Sequence, residues 1–199
     1  MAKCQIVHGI TALNTYIWGI RDIMEIQRYS TTAIIIHWLM AIMIIAMICM
    51  GVYMADLPKG SEERTWFFTL HKSVGLTLAL LAIIRLVWKL ISASPPLPDI
   101  VSATHQKMAT TTHHLLYLMM FIQPVSGYIS SSFTKYSTKF WGIPLPKWAD
   151  KNPEMNELFT QIHEISAICL VVLLVMHIAG VVYHMKRKET EMFKRMWFT

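Results

Sequence analysis

The chain has 199 residues, of which 54% are apolar and only 15% are charged, with a formal net charge of +6 and a pI near 9.3. A soluble domain carries about 25% charged residues, so the composition points to a membrane protein and argues against an ordinary soluble enzyme. The length suits one compact bundle with no separate soluble domain, and the positive excess reads as cytoplasmic loop charge rather than as nucleic-acid binding.

Residues 1–27 hold no continuous apolar stretch and no small-residue cleavage site, which argues against a signal peptide. Ile10, Leu13, Ile17, Ile20 and Met24 recur at helical spacing. The segment reads either as a short amphipathic helix on the inner membrane surface or as a disordered extension ahead of a start at Met24. A first span is expected from Ala33 to Ala55, free of Asp, Glu, Lys and Arg and ended by Asp56, Pro58, Lys59 and Gly60. It is long enough to cross about 30 Å of hydrocarbon. A second span runs from Phe67 to Leu90, with His71, Lys72, Arg85 and Lys89 near its ends, where long cations reach the interface. The proline-rich stretch from Ser92 to Asp99 stops it. A third span is expected from Thr111 to Ser131, kinked at Pro124, and a longer loop follows to Glu157. The fourth runs from Phe159 to Tyr183 and closes on Met185-Lys186-Arg187-Lys188. The expected fold is an all-α, four-transmembrane-helix bundle, with residues 28–199 as its domain and 1–27 as an N-terminal extension.

Basic residues orient the bundle. Lys3, Arg21 and Arg28, then Arg85, Lys89 and Lys107, then Lys186, Arg187, Lys188, Lys194 and Arg195 all fall on one side, which places both termini in the cytoplasm. The opposite loops mix acids with bases, although Lys135, Lys139, Lys147 and Lys151 make one of them basic enough to attract a small anionic reductant. Cys4, Cys49 and Cys169 show no CxxC spacing, so neither a disulfide framework nor a zinc site is expected; Cys49 and Cys169 read as small buried thiols. The 15 methionines read as packing.

Four histidines, His37, His71, His163 and His177, lie inside the apolar spans, where an ionisable group needs a partner or a function. His163 and His177 are 14 residues apart on one helix. That is nearly four turns, so both rings leave the same face, about 21 Å apart along the axis. His37 matches the depth of His177, and His71 that of His163. Two imidazoles facing each other in a bundle form the axial ligand set of a b-type haem. The pairs His37/His177 and His71/His163 therefore read as two such sites, one near each membrane surface.

His184, seven residues past His177, reads as a contact to a haem propionate or a quinone oxygen, or else as a wet interfacial residue. His113 and His114 open the third span; one could rival His37 as inner ligand, but both look too shallow to match His177, which favours a structural or propionate role. Arg85 reads as a partner for the inner propionates, and Lys72 as an equivalent on the outer side. His8 and His105 look solvent-facing.

Arg28-Tyr29-Ser30, Ile36-His37-Trp38, Leu70-His71-Lys72-Ser73-Val74-Gly75 and Ile84-Arg85-Leu86-Val87-Trp88 together resemble the prokaryotic cytochrome b561 family. Tyr117, Pro124-Val125-Ser126-Gly127, Phe140-Trp141-Gly142, the His163-Glu164 to His177 spacing and Lys194-Arg195-Met196 extend the resemblance from residue 28 to the C-terminus. It implies an inner-membrane four-helix protein with two b haems. His37 and His177 would ligate the inner haem, His71 and His163 the outer one, and His184 would stand near a quinone. One member type is a superoxide oxidase that passes electrons from external superoxide to ubiquinone.

The expected function is electron transfer across the bilayer between an outer donor and the quinone pool, by a monomer or small homo-oligomer. The alternatives are a non-catalytic anchor passing electrons to or from a soluble partner enzyme, and a structural protein without haem.

Overall fold

The computed structural model describes residues 28–92, 95 and 101–198, so the expectations for residues 1–27 lie outside it. Four long helices run α1 Thr31–Asp56, α2 Glu62–Ile91, α3 Ala103–Ser132 and α4 Pro153–Lys186, and a short α5 covers Glu191–Lys194. Each long helix begins at a side-chain cap. Ser30, Ser61 and Ser102 accept from the backbone N–H three residues on, and Asn152 does the same for Met155. These caps satisfy amide donors that a helix start leaves free. The helices outrun the apolar stretches that announce them, because the caps lie beyond the hydrocarbon-length core of each segment. α4 alone is about 51 Å long at 1.5 Å per residue.

α1, α2 and α4 are long and apolar enough to cross a membrane. α3 equals α2 in length, but its first half is rich in Thr and His and it ends on three serines. The burial pattern is that of a bundle in lipid. Ile42, Val52, Leu90 and Ile168 lie exposed, while Ser73, Ser126, Ser130, Ser131 and Ser166 are buried. Small polar residues at helix contacts let backbones approach and hydrogen-bond across the seam, and the large apolar side chains are left for the hydrocarbon. Cys49 and Cys169 share that outward distribution. The expectation of buried thiols is corrected: both sit on faces where the neighbour is lipid rather than another helix.

α3 packs most extensively on α4, α1 on α2, and α2 on α3. The connection between α3 and α4, expected as a plain loop, holds a two-stranded hairpin, β1 Lys139–Phe140 and β2 Ile143–Pro144. Trp141 and Gly142 make its turn with positive φ, as tight hairpins require. The hairpin is tied to α2: Trp141 N–H donates to the Ser73 hydroxyl at 3.1 Å, and its indole N–H to the Thr77 hydroxyl at 3.1 Å. The opposite end gathers both ends of the described chain. Tyr29 N–H donates to the Arg195 carbonyl, the Trp38 indole to the Met196 carbonyl at 2.7 Å, and Arg195, 5% exposed, to the Pro95 carbonyl. The two ends of the bundle are called the hairpin end and the terminal end below.

Candidate functional site

His163 and His177 project from α4 at two levels, and each meets a histidine from another helix. At the terminal end His37 on α1 faces His177, with ring centres 6.2 Å apart and planes at 68°. At the hairpin end His71 on α2 faces His163, again at 6.2 Å, with planes at 78°. The structure thus brings together the two pairs expected from depth. Two imidazoles that each set a nitrogen about 2 Å from one shared metal have ring centres about 6 Å apart.

The hairpin-end pair is also chemically suited to such a metal. His163 Nδ1 lies 2.8 Å from the Gln123 carbonyl, which can only accept, so the ring proton is on Nδ1. Nε2 is then a bare lone pair, here accepting from the Gln123 amide at 3.2 Å. The Gln123 side-chain oxygen accepts from the Ser166 hydroxyl. A carbonyl that fixes the tautomer and orients the ring is the usual support of a metal-bound histidine. Gly127 makes room for the ring, since a Cβ there would stand 2.9 Å from His163 Cε1 and Nδ1. Across the gap His71 Nδ1 is buried and has no hydrogen-bond partner among the described residues. A buried polar atom left in that state costs free energy unless something else binds it. Lys72 is half-buried next to it.

At the terminal end, a cleft with about 530 Å³ of empty volume is lined by His37, Arg85, His113 and Tyr117 among apolar side chains. Arg85 donates to His37 Nδ1 at 3.1 Å and to the Ala33 carbonyl at 3.4 Å. A guanidinium cannot accept, so here His37 Nδ1 is the acceptor and the ring proton is on Nε2, the opposite tautomer to His163. The ring of His113 stands 5.2 Å from that of His177, and its Nδ1–H donates to the Ala109 carbonyl at 2.7 Å. The expectation that His113 is too shallow is therefore corrected: α3 starts at Ala103, so His113 lies nearly three turns inside the helix rather than at its mouth. Lys89 lies 4.8 Å over the Tyr117 ring, adding a second cation near the cleft.

Beyond this cleft, His184 Nδ1 lies 2.6 Å from Glu189 Oε2, and Glu189 Oε1 accepts from Arg187 at 3.1 Å. The His184 hydrogen bond, with help from Arg187, holds the Glu189 carboxyl below its usual range. His105, expected in solvent, packs edge-on against both Tyr183 and His184. The early start of α3 again explains the difference, because His105 is already on its first turn. His8 lies outside the described residues.

Gln123, Ser166 and Gly127 escaped the sequence reading, as did Glu189. A glutamine beside Pro124 in an apolar span was the available signal, since an amide at that depth needs a partner. For Glu189 the signal was an acid five residues beyond a histidine at a helix end.

The known proteins similar to this chain fit the same picture. A "Cytochrome b561 homolog 2" of Escherichia coli (strain K12) is 32% identical over 176 residues, covering 85% of this chain and 91% of the relative. "Cytochrome b561 homolog 1" of the same organism is 24% identical over 158 residues, covering 79% and 90%. A "Probable superoxide oxidase CybB" of Yersinia pestis is 21% identical over 171 residues, covering 85% and 96%. The family model for prokaryotic cytochrome b561 matches residues 28–199, which takes in both histidine pairs and every described helix. The chain therefore belongs to the prokaryotic cytochrome b561 family, multi-pass membrane electron-transfer proteins that bind b-type haem.

Proposed function

We propose that the chain carries electrons across the inner membrane between a donor outside and a quinone inside, using two b haems held by His71/His163 and His37/His177. The observation that carries this reading is the repetition of one ring separation, 6.2 Å, at two levels of α4. Haem held by these two histidine pairs would supply one-electron redox chemistry, which suits electron transfer. α3 serves as the fourth span, and the terminal end lies in the cytoplasm, as the basic residues there require.

The protein's own residues set the conditions. The Gln123 carbonyl fixes the His163 tautomer, so that Nε2 carries the lone pair, which the Gln123 side-chain amide meets at 3.2 Å. Arg85 donates to His37 Nδ1 in this structure. Its guanidinium, with Lys89 and His113 nearby, would give the carboxylates of a bound cofactor a cationic site. Lys72 holds the corresponding position beside His71. Lys135, Lys139, Lys147 and Lys151 are exposed at the hairpin end and attract a small anion. The Yersinia pestis relative named as a probable superoxide oxidase supports superoxide as that anion. Two superoxide ions give up one electron each and leave as dioxygen, and one quinone takes both electrons and two protons.

The test is a haem count and spectrum of the detergent-solubilised protein. Two haems per chain are expected. His37→Ala and His177→Ala should each lose one and the same haem, and His71→Ala and His163→Ala the other. Loss of the same haem by His37→Ala and His71→Ala would overturn the pairing, and a colourless preparation the whole reading. With superoxide supplied, the intact protein should reduce a short-chain ubiquinone at a rate that falls as salt rises.

A further inference from the structure

We propose that Glu189 is the positioning residue for proton transfer at His184, holding that ring so that its Nε2 serves the quinone. The inference rests on the quinone reading of the terminal end and assigns a role to a residue outside the histidine set.

The local chain is built to bring the carboxylate back under the ring. α4 ends at Lys186, and Lys188 takes a left-handed φ of 63° that side chains other than glycine rarely adopt. The chain reverses there, and the Glu189 N–H donates to the His184 carbonyl at 3.0 Å. The same turn sets Glu189 Oε2 2.6 Å from His184 Nδ1. Arg187 Nε donates to Glu189 Oε1 at 3.1 Å, and its Nη1 donates to the Tyr183 hydroxyl at 3.1 Å, so the carboxylate is held from both sides. The His184 and Glu189 side chains are 12% and 19% exposed, sheltered but within reach of water.

An ionised carboxylate only accepts, so the His184 proton facing it is on Nδ1, and Nε2 is the exchangeable nitrogen. A carboxylate behind one ring nitrogen, with the other left to work, is the arrangement by which acids orient histidines in proton transfer. His184 lies seven residues beyond His177, about 10 Å further along the axis, on nearly the same face. A quinone accepting two electrons at the terminal end must also take two protons. Each proton passes from His184 Nε2 to a quinone oxygen, forming an O–H bond and leaving a neutral ring. Water on the cytoplasmic side then returns a proton to Nε2. Glu189 stays ionised throughout and stabilises the ring while it carries both protons. Among the described residues, the charged and titratable groups around the ring are Glu189, Arg187 and Tyr183 from α4 and its turn, and His105 from α3.

Stopped-flow reoxidation of the haem-loaded, pre-reduced protein by a short-chain ubiquinone tests this. Glu189→Gln should slow reoxidation by roughly ten-fold, a fraction of what general acid catalysis contributes. Glu189→Asp should restore part of the rate, and Arg187→Gln should give a smaller loss. Haem content, spectra and the rate of reduction from the donor side should stay at wild-type values in all three. Wild-type reoxidation by Glu189→Gln would overturn the proposal, as would a loss that aspartate does not rescue. A wild-type protein that no quinone reoxidises would remove the quinone reading and this inference with it. A normal wild type beside an unaffected variant removes the inference alone.

Discussion

A methyl group added at Gly127 would stand 2.9 Å from the His163 ring, closer than side chains tolerate, whereas one at Gly51 would meet His71 at an ordinary 3.7 Å. The two glycines therefore separate a cradle from a bystander. Gly127→Ala should cost about 1–3 kcal/mol through overpacking and turn the ring away from its partner. The expected outcome is loss of the haem assigned to His71/His163, with the other retained, and a lower thermal midpoint; Gly51→Ala should leave both haems in place. Haem counts of the two variants check this, and equal behaviour would show that the close approach is immaterial. At this scale the sequence was legible where chemistry is loud. The four histidines stand out because ionisable groups in apolar spans are rare and need a reason. Gln123, Ser166 and Gly127 are uncharged or small, and their meaning lies in what they touch across a seam. No pattern within α3 or α4 reports that.

Arg64 illustrates what an element needs to end in the right place. α1 stops at Asp56 ahead of Leu57-Pro58, because the residue before a proline disfavours helical backbone. Its last carbonyls would be left without donors, but Arg64 Nη1 donates to those of Met54, Ala55 and Leu57 at 2.7 to 2.9 Å. The guanidinium also lies 4.8 Å over the Phe68 ring. Arg64→Ala should destabilise the hairpin end by about 1–3 kcal/mol, the worth of charge-assisted hydrogen bonds there, and Arg64→Lys should recover part of it, because the three bonds converge on one nitrogen and an ammonium carries three donors. A thermal melt in detergent measures it, and an unchanged midpoint would refute the cap. Element existence was legible from the apolar runs, and element length was not. α3 begins eight residues before its expected start, which is why His105 was read as solvent-facing and His113 as too shallow to match His177. Hydropathy reports the lipid-matched middle of a helix, and the capping serines set its ends.

For the molecule as a whole, the proposed four spans and cytoplasmic terminal end make a topological prediction. With Cys4, Cys49 and Cys169 replaced by serine, Lys147→Cys should react with an impermeant thiol reagent added to intact cells, and Lys194→Cys should react only after the membrane is opened. Labelling of Lys194→Cys from outside would refute the cytoplasmic terminal end. The arrangement of four helices around two histidine levels was legible because α4 carries His163 and His177 at a helical multiple. The tie between hairpin and α2, and the latch formed by Trp38, Met196 and Arg195, were not, since each joins residues distant in sequence through backbone groups. The hydrogen bonds that join α3 to α4 gather toward the hairpin end, at Gln123 with His163 and at Ser130 with Asn156 and Thr160. Toward the terminal end the same helices meet through aromatic edges, His113 on His177 and His105 on His184. In hydrocarbon, where apolar contact gives little cohesion, such a pair behaves as tongs: a stiff pivot at one side of the bilayer and a loose jaw at the other. A greasy guest approaching sideways through the leaflet thus finds the jaw that yields, while the pivot keeps the far histidine pair in register.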